Sequence, residues 1–159
     1  MSNLADNIVE LFCAAEKTAR GAASAIAATE GSDRWQARGA ATILVVEDEP
    51  DLRDVVADLL EDLGYRTLAV ASGAAALEAL RNDRGIDLVF TDLVMPGPVD
   101  GLALAEQARR LYPGIRVVFT SGYVEHSALR NRLPGSGEIV LHKPYHRAEL
   151  ARAIARALG

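Results

Sequence analysis

Apolar residues in this chain gather into short β-branched runs, separated by stretches whose apolar positions recur at helical spacing. Four of the runs stop on a polar or charged residue: Ile43 to Asp48, Leu88 to Asp92, Val117 to Thr120 and Ile139 to Lys143. A run that is apolar at nearly every position predicts a strand covered on both faces, and Thr42 to Asp48 is of that kind. A helix then starts at Pro50, capped by Asp48 or Glu49, with Leu52, Val55, Val56, Leu59, Leu60 and Leu63 on one side, and stops at Gly64. Tyr65 to Ala71 reads as a second strand, and Ser72 caps an Ala-rich helix through Leu80. Ile86 to Asp92 is a third strand, followed by a helix from Gly101 to Leu111 that Tyr112-Pro113-Gly114 ends. Ile115 to Thr120 is a fourth strand, and a weaker helical stretch from Glu125 to Arg132 stops at Pro134 and Gly135. Glu138 to His142 is the fifth strand, and a last helix from Arg147 to Leu158 buries Leu150, Ile154 and Leu158.

Five strand–helix units in succession predict an α/β domain. Right-handed crossovers make it a doubly wound (βα)5 parallel sheet, and the flavodoxin-like strand order 2-1-3-4-5 is the economical arrangement. Its switch point lies between the first and third strands, which end in Glu47-Asp48 and in Asp92. Parallel strands put their carboxyl ends along one edge of the sheet, so Glu47, Asp48, Asp92, Thr120 and Lys143 are expected to meet in one crevice. Taken singly, each has an ordinary structural use as a helix cap, turn residue, strand residue or solvated lysine. Convergence at a switch point is what favours function.

Residues 1–41 stand apart from residues 42–159. Leu4, Ile8, Leu11, Ala15, Thr18, Ala22 and Ile26 make a near-heptad stripe, which predicts an N-terminal helix from about Asn3 to Thr29. Glu30-Gly31-Ser32-Asp33 ends it, and a polar linker with Trp35 leads to the first strand. The stripe needs apolar cover, from a second copy in a homodimer, from a partner, or from its own domain.

Composition narrows the function classes. The chain has 159 residues, half of them apolar and a quarter charged, which suits one globular core. A net charge of −5 with dispersed arginines leaves no basic footprint, so nucleic acid is not an expected partner. The single Cys13 permits no internal disulfide and fits a reducing compartment. Neither a basic leader nor a long apolar stretch follows Met1, so the expectation is a cytoplasmic protein without a membrane span.

The expected crevice holds three carboxylates, which repel one another unless a pKa shifts or a hard cation binds. Magnesium suits such oxygen donors, whereas His126, His142 and His146 lack the spacing of a zinc site. With a cation present, one aspartate can attack a phosphorus centre and become an aspartyl phosphate. Lys143 would add positive charge, and the Thr120 hydroxyl would hydrogen-bond a phosphoryl oxygen.

Glu47-Asp48, the stretch Thr91-Asp92-Leu93-Val94-Met95-Pro96-Gly97, the stretch Phe119-Thr120-Ser121-Gly122 and Lys143-Pro144 together resemble the receiver domain of two-component response regulators. The resemblance covers residues 42–158 and includes receivers attached to hybrid histidine kinases. It implies that Asp92 accepts a phosphoryl group from a phosphohistidine on a sensor histidine kinase or histidine phosphotransfer protein. It implies magnesium on Asp48, Asp92 and the backbone carbonyl of Val94, with Glu47 contributing through water. Thr120 and Lys143 would contact phosphoryl oxygens, and the Lys143-Pro144 bond would be cis. The chain would catalyse only its own phosphorylation and dephosphorylation, and would signal through protein contacts or onward phosphotransfer.

Several positions depart from that pattern. Val140 stands three residues before Lys143, where many receivers carry a Tyr or Phe switch, and Gly97-Pro98-Val99-Asp100 is one residue longer than the loop of chemotaxis-type receivers. Val94 and Gly122 offer no side chain to hold an attacking water, so slow loss of the phosphoryl group is expected. A magnesium phosphatase of the haloacid dehalogenase type is an alternative, but Glu47-Asp48-Glu49-Pro50 lacks its Asp-x-Asp signature. A binding module with a lapsed site is another, although competent residues occupy all five positions. The stretch from His126 to Asn131 faintly echoes a kinase phosphoacceptor box without the acidic residue after the histidine.

Overall fold

A computed structural model describes residues 40–122 and 138–159. The expected helix over Asn3–Thr29, the linker at Trp35, the stretch Glu125–Arg132 and the His126 motif lie outside the described residues. Within them the order is β1 (Thr42–Val46), α1 (Pro50–Asp62), β2 (Arg66–Val70), α2 (Gly73–Asn82), β3 (Leu88–Asp92), α3 (Gly101–Leu111), β4 (Arg116–Ser121), β5 (Ile139–His142) and α4 (Arg147–Leu158).

Local chemistry starts and stops these elements. Pro50 opens α1, where its fixed φ is already helical, and Asp51 places negative charge in the first turn. Glu49 occupies the cap position by backbone shape without a capping hydrogen bond, so neither of the two expected side-chain caps forms. Gly64 ends the segment at φ +91°, a left-handed conformation that glycine adopts without strain. The Ser72 Oγ accepts the Ala75 N–H at 3.2 Å at the start of α2. Asp100 Oδ1 accepts the Ala103 N–H at 2.8 Å at the start of α3.

The strands pair in parallel in the order β2-β1-β3-β4-β5, as the switch-point reading requires. The two faces of the sheet carry separate cores, and residues alternate between them with the period of two that a pleated strand imposes. Leu44, Val46, Val89, Val117 and Phe119 face α2 and α3 with Ala76, Leu80, Leu104 and Ala108. Ile43, Val45, Leu88, Phe90 and Val118 face α1 and α4 with Val56, Leu60, Leu150 and Ile154. β1 is buried at all five positions, whereas β2, on the edge, is largely exposed. Burying each such aliphatic side chain contributes about 1.5–3 kcal/mol, so the central strands anchor the sheet edge where the polar residues sit.

Element ends shift by a residue or two from the sequence reading, as at β2 (Arg66–Val70) and β5 (Ile139–His142), and further details differ. Leu158, expected to be buried, is only partly covered because it lies at the end of α4, against the rim of the core. Ile86 precedes β3 rather than belonging to it, yet still packs against α2 and α3. β4 runs one residue further, to Ser121, because Ser121 pairs with His142.

Candidate functional site at the carboxyl edge of the sheet

Asp92 ends β3 opposite Thr120 of β4, and Ser121 ends β4 opposite His142 of β5. Chain direction therefore delivers an acid, a hydroxyl and, one residue later, Lys143 to neighbouring strand ends. The Lys143 main-chain N–H donates to the Ser121 carbonyl at 2.9 Å, and the Lys143-Pro144 bond is cis, as the resemblance implied.

The Lys143 ammonium joins the acids. Its Nζ donates to Asp92 Oδ2 at 2.7 Å and to Glu47 Oε2 at 3.0 Å. All three side chains are nearly buried, with 12% exposure for Lys143, 12% for Asp92 and 8% for Glu47. Thr120 is also buried, and its Oγ1 has no hydrogen-bond partner among the described residues. A buried hydroxyl in that state costs about 1–3 kcal/mol and is able to donate to an acceptor brought beside it.

Burial pushes the Glu47 carboxyl above its ordinary pKa, and this outweighs the opposing pull of Lys143. Burial by itself would lower Lys143, but Asp92 and Glu47 together outweigh it and hold the ammonium above its usual value. Lys143 is therefore a fixed cation at neutral pH, placed against the carboxylate of Asp92.

Of the three acids expected to converge, the structure brings two together. Asp48 is exposed, and no hydrogen bond or ion pair ties it to Glu47, Asp92 or Lys143 among the described residues. Among those residues no three His, Cys, Asp or Glu side chains form a group arranged to hold a metal ion. Lys143 lies between the two buried carboxylates and offsets part of their charge, while Asp48 is exposed. The donor chemistry still suits a hard cation, since Glu47, Asp48 and Asp92 present oxygen only. Val94, two residues past Asp92, is 47% exposed.

Three neighbours of the site have no strong signal in the sequence. Arg53, on α1, donates from Nη1 to the Glu47 carbonyl at 2.9 Å; its place one turn after Pro50 is the available clue. Tyr145 is buried and packs edge-on against Phe90, with ring centroids 6.3 Å apart and planes at 81°. Burial pushes its phenol well above the usual range, and Glu47 and Asp92 add to that shift. Gly101 leaves no room for a side chain, because a Cβ there would lie far inside contact distance of the Asp92 carbonyl oxygen and 3.0 Å from Leu93 Cα. The sequence marks it only as a helix start.

A family model described as the response regulator receiver domain matches residues 43–155. Sensor kinase CckA of Brucella abortus (strain 2308) is 38% identical over 122 residues, which make up 76% of this chain and 13% of that protein. Response regulator receiver protein CpdR of the same organism is 32% identical over 116 residues, 73% of this chain and 95% of that protein. The crystal structure of a response regulator receiver protein from Sinorhizobium medicae WSM419 is similar at a TM-score of 0.66 and 35% identity, covering 75% of this chain and 94% of that one. The chain thus spans a small part of one curated relative and nearly all of another. The matched segment takes in all five strands except Thr42 at the start of β1, together with every site position on their ends, and on these grounds the chain belongs to the response regulator receiver domain family.

Proposed function

We propose that the chain is a phosphorylation-dependent signalling switch of a two-component system, with Asp92 as the phosphoryl acceptor. The observation that carries this reading is the Lys143 ammonium 2.7 Å from Asp92 Oδ2, beside the buried Thr120 hydroxyl that lacks an acceptor. An Asp92 carboxylate oxygen forms the new bond to phosphorus as the phosphorus–nitrogen bond of a donor phosphohistidine breaks. The electron pair of that bond leaves with the imidazole. Lys143 holds positive charge where the transferred oxygens come to rest, and Thr120 donates its hydroxyl to one of them. Magnesium, held by Asp48, Asp92 and the Val94 carbonyl, would neutralise further charge on the transferring group.

The likeness to a segment of sensor kinase CckA supports a histidine kinase, or a histidine phosphotransfer protein, as the phosphoryl source. The reaction is stoichiometric labelling of one side chain rather than turnover, and output passes through protein contacts or onward phosphotransfer. No described helix is long and apolar enough to cross a membrane, and the reading places the chain in the cytoplasm.

Intact mass spectrometry after incubation with acetyl phosphate and magnesium tests the proposal. Wild type should gain one phosphoryl group and Asp92→Asn none. Equal labelling of both would overturn the assignment of Asp92, and multiple turnover of a phosphate ester would favour a phosphatase.

A further inference from the structure

In a parallel sheet covered by returning helices, the strand starts and the last helical turns share one edge, opposite the edge that carries Asp92. Arginines dispersed along the chain are gathered there by the topology: Arg66 opens β2, Arg81 lies in the last turn of α2, Arg84 lies between α2 and β3, and Arg116 opens β4. Arg109 and Arg110, in the last turn of α3, are paired with Glu138 and Glu106. Arg66, Arg81, Arg84 and Arg116 are exposed and make no ion pair among the described residues. The helix dipole accounts for Arg81, but Arg66, Arg84 and Arg116 stand outside the helices. Carboxylates on the same edge are engaged elsewhere. Asp87 Oδ2 accepts the Thr42 N–H at 2.9 Å, Asp83 Oδ1 the Gly85 N–H at 2.7 Å, and Glu61 Oε1 the Thr67 hydroxyl at 2.5 Å. They also hold the edge to a moderate overall charge, which suits a mildly acidic peptide rather than a polyanion.

The stretch before β1 joins the domain at this edge, where the Ala41 carbonyl accepts the Arg66 N–H at 2.9 Å. Residues 1–33 carry Asp6, Glu10, Glu16, Glu30 and Asp33 against Lys17 and Arg20, and they include the apolar stripe that needs cover. Leu111, the last residue of α3, is 41% exposed on the same edge. We infer that residues 1–33 dock on the arginine edge of their own domain, their acids against Arg66, Arg84 and Arg116. The tether of residues 34–39 holds the segment at about millimolar effective concentration, which favours its own domain over a second copy. Docking there leaves the acceptor edge clear, one five-residue strand length, about 16 Å, away. The inference does not rest on the acceptor reading of Asp92.

Cys13, the single cysteine of the chain, lies within the segment and takes a nitroxide spin label. In the 15N-labelled full chain, the amide signals of Arg66, Gly85 and Arg116 should lose most of their intensity while that of Thr120 keeps it. The triple variant Arg66→Glu, Arg84→Glu, Arg116→Glu should recover the intensity, and adding Asp6→Arg, Glu10→Arg and Glu16→Arg should abolish it again. Raising salt from about 0.05 M to about 1 M, where charges are screened within about 3 Å, should reproduce the recovery in wild type without any substitution. Intensity loss at Thr120 alone, loss nowhere, or loss that survives both the salt and the triple variant would overturn the inference. A second sample mixes 15N-labelled chains lacking the nitroxide with unlabelled chains carrying it. Intensity loss at Arg66 and Gly85 in that mixture would assign the edge to a second copy and defeat docking within one chain.

Discussion

Replacing Lys143 by methionine keeps most of the apolar stem and deletes the one cation set between Glu47 and Asp92. The ammonium lies 3.0 Å from Glu47 and 2.7 Å from Asp92, and no side chain of the three is more than 12% exposed. Removing one partner of a buried ion pair leaves an uncompensated charge and costs about 3–5 kcal/mol. Protonation of a carboxyl group offers partial escape, so the lower end, about 3 kcal/mol near pH 8, is expected. For a domain of this size that corresponds to a fall in Tm of roughly 10 °C. The pH dependence has a definite sign. Burial already raises the folded-state pKa of Glu47, and losing Lys143 removes the opposing attraction, so the carboxyl rises further. Stability from a raised acid is fully present below its unfolded pKa, about 4.3, and is lost as pH rises through the folded value. The deficit of the variant should therefore shrink toward about pH 5 and widen toward about pH 8. Urea denaturation of both proteins across that range measures it. A loss below about 1 kcal/mol at pH 8, the value of an exposed pair, or a deficit indifferent to pH, would refute the buried-pair reasoning.

Other substitutions probe the surroundings. Thr120→Val replaces a buried hydroxyl that lacks a partner by a methyl group of the same size; it should stabilise the unmodified protein by about 1 kcal/mol in chemical denaturation while slowing labelling, and a loss of stability would show the hydroxyl to be satisfied. Gly101→Ala forces a methyl group into the Asp92 carbonyl, so about 3 kcal/mol of destabilisation and slower labelling are expected, and wild-type behaviour in both would mean the loop yields freely. Val94→Asn gives the exposed position beside Asp92 a group able to hold water, and it should speed loss of the phosphoryl group from purified phosphoprotein as followed by mass; an unchanged lifetime would show that Val94 does not limit hydrolysis.

Much of this architecture is legible in the order of residues. The continuous apolar runs at β1, β3 and β4 announce strands covered on both faces, and the helix periods between them leave only a wound parallel sheet that obeys crossover handedness. Once strand order is known, so is the edge on which Glu47, Asp92, Thr120 and Lys143 lie, because a parallel strand ends where its sequence ends. The partnership among them is not legible. A string of residues does not say that glutamate at position 47 reaches a lysine 96 positions away, that Asp48 turns outward, or that Gly101 must admit the Asp92 carbonyl. Periodicity assigns a side chain to a face, while contact depends on side-chain length, rotamer and the few ångströms by which strands and loops approach, quantities that arise only when the whole core packs. The sequence determined the fold and the edge that carries the chemistry; tertiary packing decided which charges meet there, since burial between two helical layers turns neighbouring charges into a coupled pair.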